Sequence, residues 1–126
     1  MGGLDFDGFT VVLLVTPENP PELDEEAAGR LQDAHLNHLA ELHEAGHLLA
    51  AGPLLGGEGA FYRGLSIFSV DAERAKELCE QDPAVIAGRF DFEVLPWLVP
   101  AGAIHFTPTR FPHSSGEVTG TSGDDA

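Results

Sequence analysis

The chain has 126 residues, enough for one domain with its own core, and its 43% hydrophobic content suits a globular fold. Its 21 Asp and Glu outnumber 6 Lys and Arg, for a formal charge of −15. Such a surface repels phosphate, which argues against nucleic acid and anionic membrane as partners and fits either a merely acidic protein or one suited to a salty cytoplasm.

Phe9 to Val15, FTVVLLV, is β-branched or apolar throughout and predicts a central strand. Thr16 to Glu22 is a loop, because its three prolines cannot donate to a ladder. Asp24 is placed to cap a helix over Asp24 to Ala45, with Glu25 and Glu26 at the positive end of its dipole. Leu31, Ala34, Leu39, Leu42 and Ala45 fall on one stripe at helical spacing. His35 points into the middle of that stripe and His38 lies at its edge, whereas His43 turns away. Gly46 can take the left-handed backbone that ends a helix.

His47 to Ala51 predicts a second strand ended by Gly52-Pro53, and Gly56, Gly57 and Gly59 form a hairpin turn. The third strand runs from Arg63 to Val70, with Leu65 and Ile67 on one face and Ser66 and Phe68 on the other. Asp71 caps a second helix, Ala72 to Gln81, whose inward face is Ala75, Leu78 and Cys79. Asp82-Pro83 breaks that helix and opens a turn, PAVIAG. Phe90 to Leu98 alternates apolar and polar at first and reads as the fourth strand. From Thr107 the chain is polar and rich in Gly, Ser, Thr and Pro, which predicts a domain over 1–106 and a loose tail over 107–126.

The order β-α-β-β-α-β is that of a ferredoxin-like α+β fold, an antiparallel sheet with both helices on one face. All four strands carry apolar residues on both faces, so the uncovered sheet face predicts a homodimer paired sheet to sheet. No apolar run approaches the ~20 residues of a membrane helix. MGGLDFDGF has no basic region of the signal-peptide kind, and the single Cys79 permits no internal disulfide. The expected location is the cytoplasm.

A partly buried imidazole at His35 needs a hydrogen-bond partner. A backbone carbonyl would make it a packing residue; a carboxylate would fix its tautomer and make it a general base. Asp82 before a proline is also ordinary turn chemistry. Cys79 reads as core, and Ser66 as a strand residue with a satisfied hydroxyl. His35 and His38 are three apart, but His43 points away from them and Gly46 ends the helix before His47. With no His-Glu-x-x-His pattern, no metal site is expected. Gly56-Gly57-Glu58-Gly59 matches neither the dinucleotide fingerprint nor a P-loop. His105 and His113 suggest no role.

Four pieces in this order resemble the YCII-related family of small dimeric α+β barrel proteins: AHLNHLAELHEAG, LLAAGPL, RGLSIF, and DPAVIAGRF leading into FEVLPWL. The resemblance spans roughly Phe9 to Trp97. It implies a ferredoxin-like fold, dimerisation through the sheets and a pocket holding a histidine-aspartate pair, with His35 and Asp82 at the matching positions. His38, Pro53 and Ser66 would contribute walls to a small-molecule site. The strong acidity and the long polar tail are not family features. A few members are linked to degradation of aromatic compounds, including dehydrochlorination, and related α+β barrels include lactone isomerases and monooxygenases that need no cofactor. The expected activity is therefore a lyase or isomerase working through His35 as base and Asp82 as its orienting carboxylate. The alternative is a non-catalytic module that binds a small molecule in the same dimer pocket.

Overall fold

In the computed structural model, which describes residues 3–119, the elements run β1 (Phe6–Val15), α1 (Glu25–Glu44), β2 (Leu48–Pro53), β3 (Tyr62–Phe68), α2 (Ala72–Glu80), α3 (Pro83–Ile86) and β4 (Asp91–Pro100). Each helix starts where an aspartate can accept from its first turn. Asp24 takes the Ala27 N–H at 2.7 Å and Asp71 the Arg74 N–H at 2.8 Å. Asp82 takes the Ala84 N–H at 2.9 Å, so the turn expected after Asp82-Pro83 is a one-turn helix with proline at its first position. α1 ends at Ala45, and Gly46 follows with φ at 84°, a backbone that only glycine adopts without strain.

The strands form one sheet in the order β2-β3-β1-β4, every neighbouring pair antiparallel. This is the ferredoxin-like arrangement. β1 is longer than the apolar run suggests: it begins at Phe6, because β4 continues to Pro100 and pairs with it. Pro96 lies inside β4 without breaking the sheet, since β4 is an edge strand and half of its backbone groups have no ladder to serve.

The side of the sheet that meets the helices carries Val12, Leu48 and Phe68, each 1% exposed, packed with Leu42, Ala75, Leu78 and Cys79. A second cluster of Leu14, Ala84 and Phe90 lies towards α3, with Leu31 against it. Thr10 is buried among apolar groups and donates its hydroxyl to the Val70 carbonyl at 2.7 Å, so its burial leaves no lone donor. Among the described residues no helix covers the opposite sheet face, although Phe106 packs edge to face on Phe9 there with centroids 5.3 Å apart. Val11, Leu13, Leu65 and Ile67 are only half-buried there, and Leu95 and Trp97 are exposed. No helix among the described residues is long and apolar enough to cross a membrane.

Of the tail expected over 107–126, residues 120–126 lie outside the described residues; residues 107–119 lie along α1. Phe111 stacks on the His43 ring with centroids 4.0 Å apart. The Thr109 N–H donates to His43 Nε2 at 3.0 Å. His113 bonds Glu44 through Nε2 and Asn37 through Nδ1, and Ser115 donates its N–H and its hydroxyl to Asp33. Each of these anchors is polar or a single aromatic contact. None creates the apolar periodicity by which a packed segment is recognised.

Candidate active site

His35 stands at the junction of the two core clusters. One turn before it on α1, Leu31 packs into the cluster around Phe90; one turn after it, Leu39 packs into the cluster around Phe68. The helical period thus drives the imidazole into the interior, where His35 is 6% exposed. Asp82, 3% exposed, reaches it from the start of α3. The His35 Nδ1–H donates to Asp82 Oδ2 at 2.7 Å. The other carboxylate oxygen accepts the Ala84 N–H, so Asp82 is fixed at both ends.

The carboxylate only accepts, so Nδ1 carries the proton and a neutral ring has its lone pair on Nε2. Nε2 has no partner among the described residues and is not shut off from solvent. The ring lies 5.5 Å from the Phe90 ring at a 59° tilt. The arrangement can do one thing well: accept a proton at Nε2 while Asp82 stabilises the imidazolium that forms.

The other residues expected at the site are placed as follows. Ser66 is buried on the helix side of β3 and lines, with His38, Asp82 and Leu39, an internal cavity of about 10 Å³, of the order of one water molecule. His38 Nε2 is engaged by the Leu78 carbonyl at 3.0 Å. Pro53 is exposed at the end of β2, where it pairs with Gly64 in the sheet. The structure therefore brings His35, Asp82, His38 and Ser66 to one part of the interior and leaves Pro53 exposed on the edge strand β2. The dyad lies on the helix side of the sheet, opposite the uncovered face. A larger open groove of about 450 Å³ lies elsewhere, between Phe9, Trp97 and the start of α2.

His43 Nδ1–H donates to the Leu48 carbonyl at 2.7 Å. Among the described residues no three His, Cys, Asp or Glu side chains are grouped to hold a metal ion. Cys79 is buried, and its thiol is pushed up to about 12, first by loss of hydration and then by the negative charges of Asp82 and Glu80. It is a packing residue and no nucleophile at neutral pH.

Two residues beside the dyad went unnoticed in the sequence. The guanidinium carbons of Arg63 and Arg89 each lie 5.8 Å from the centroid of the Phe90 ring that His35 also touches. The available signal was compositional: only five arginines occur in the chain, and two of them open the third-strand segment and precede Phe90.

The fold and the paired His35 and Asp82 define a ferredoxin-like protein with a buried histidine-carboxylate dyad. Residues 10–98 match the YCII-related domain, and the chain belongs to that family. Among solved structures it is similar to 5-chloro-2-hydroxyhydroquinone dehydrochlorinase (TftG) from Burkholderia phenoliruptrix, in complex with 2,5-dihydroxybenzoquinone. The TM-score is 0.51 at 24% identity, covering 71% of this chain and 92% of that one. No curated protein matches the chain.

Proposed function

We propose that this chain is a cofactor-independent lyase or isomerase acting on a small organic molecule. His35 is the general base and Asp82 its orienting carboxylate. The observation that carries the reading is the 2.7 Å bond from His35 Nδ1 to a buried carboxylate, with Nε2 left unpartnered. In the proposed step, Nε2 takes a proton from carbon or from a ring hydroxyl. The electron pair so released forms a new double bond. In an elimination the leaving group departs with its bonding pair; in an isomerisation the proton returns at another atom. The similarity to a dehydrochlorinase supports an elimination with halide as leaving group. His38 and Ser66 would sit behind the dyad and Pro53 at the mouth. The apolar sheet face is proposed to pair with a second copy, which covers Leu95 and Trp97 without obstructing the dyad. The cytoplasm is the proposed location.

Nitrogen NMR of the His35 ring tests this reading first. The expected result is a neutral ring protonated at Nδ1, changing to Nε2 in Asp82→Asn, where the amide donates to Nδ1. A ring protonated at Nε2 in the unmodified protein refutes the base. Chloride release from 5-chloro-2-hydroxyhydroquinone is the first turnover assay, with a loss of about 10²-fold or more expected in His35→Ala. Binding of a ligand without turnover, unaffected by the tautomer, would favour the non-catalytic module instead.

A further inference from the structure

Five arginines serve a chain with 21 carboxylates. Three of them are paired with one: Arg30 with Glu26, Arg74 with Glu77 and Arg110 with Glu117. The remaining two, Arg63 and Arg89, have no carboxylate partner among the described residues, and both lie against the same ring, Phe90. That ring is the one that touches His35. Asp91, the next acid along the chain, turns its carboxylate to the Phe92 N–H instead.

In so acidic a protein an arginine finds a carboxylate easily. Leaving this pair unneutralised beside the dyad keeps a local positive charge in a strongly negative molecule. Arg89 is half-buried, and its Nε–H is the one buried side-chain donor without a partner among the described residues. The protein supplies no acceptor that accounts for its placement.

We infer that the ligand of this site is a small organic anion, a carboxylate or phenolate, whose charged oxygen is bound by Arg63 and Arg89 on the Phe90 ring. This rests on His35 and Asp82 being the centre of the site. Guanidinium groups suit such oxygens because they donate several N–H groups in one plane. The same pair would stabilise negative charge that grows on a substrate oxygen as Nε2 withdraws a proton, without either arginine moving a proton itself. Exposed Phe61 and Tyr62, edge to face at 5.0 Å and adjacent to Arg63, offer apolar surface for the organic body.

The test compares benzoate with benzamide, equal in shape and different in charge, by NMR titration of the full chain. Benzoate is expected to bind about tenfold tighter, to shift the Arg89 and Phe90 amides, and to weaken as KCl is added, whereas benzamide is indifferent to salt. Arg63→Gln, at an exposed position, is expected to erase most of that preference. Arg89→Lys keeps the charge and is expected to retain part of it, which separates loss of charge from loss of folding. No saturable benzoate binding, equal affinity for the two probes, or a preference that survives Arg63→Gln overturns the inference. The His35 tautomer, read on the same protein without ligand, decides the acid–base reading separately. A correct tautomer with indifferent arginines removes only the anion site.

Discussion

Replacing Asp82 by alanine removes two bonds at once, and the cost of each follows from its surroundings. The Ala84 N–H loses its cap, worth about 1 kcal/mol. The His35 Nδ1–H is left without an acceptor at a site only 6% exposed, worth about 2 kcal/mol more. The sum of about 3 kcal/mol is a large part of the 5 to 15 kcal/mol that roughly holds a domain of this size together. With a urea slope of about 2 kcal/mol per molar, the unfolding midpoint falls by about 1.5 M. Asp82→Asn should behave differently. Its amide oxygen still caps α3, and its NH₂ donates to Nδ1 once the imidazole proton moves to Nε2. The midpoint should then move by under about 0.5 M while Nε2 becomes the protonated ring nitrogen. Urea unfolding followed by far-ultraviolet circular dichroism measures both variants. An alanine variant as stable as the parent, or an asparagine variant as weak as alanine, would refute the two-bond account of Asp82.

Cys79 is expected to resist thiol reagents in the folded protein and to react at a rate set by unfolding. Its thiol lies at about 12 against an ordinary 9.0, so the folded state holds this proton more tightly. The associated stability is fully present below about pH 9 and declines as pH rises towards 12, which denaturant unfolding across that range measures. Asp33 is held below the usual carboxylate range by the Ser115 N–H and then by the Ser115 hydroxyl. The part of the attachment of residues 107–119 that Asp33 supplies is therefore fully present above the ordinary value of 3.8 and lost as pH falls through the lower folded value. Asp33→Asn should loosen it at neutral pH, read as faster amide exchange at Ser115 and faster proteolysis after Arg110; unchanged rates would show that Asp33 does not anchor the segment.

The parts of this molecule that were legible in the sequence are those written in local chemistry. Asp24 and Asp71 each announce a helix start because a short acceptor side chain before an apolar period has one favourable use, whereas Asp82 before proline reads as a turn and caps a one-turn helix. His35 was legible as an interior residue because Leu31 and Leu39 bracket it at helical spacing, although Ala40 takes a core place that the stripe assigned to Ala45, which is an exposed cap. The contact of His35 with Asp82 was not legible from spacing. The two are 47 residues apart, and only the resemblance to a family joined them. Arg63 and Arg89 escaped notice because a cation stacked on a ring leaves no periodic trace. Composition does not register the contacts of residues 107–119, because it measures the apolar area a segment can bury, whereas this one is fastened by Asp33, Asn37, His43 and Glu44.

The glycine-rich loop between β2 and β3 divides the chain into two β-α-β units of similar plan, and each contributes one half of the dyad: His35 comes from the first and Asp82 from the second. The sheet order interlaces the units, since β3 of the second lies between β2 and β1 of the first. A chain severed between Gly56 and Gly59 would therefore leave two fragments, neither of which carries a complete dyad. Every strand-to-strand contact of β2 belongs to the other fragment, so the pieces have strong reason to reassociate. Any acid–base activity then reports reunion of the fragments, and the protein becomes a natural candidate for a complementation reporter.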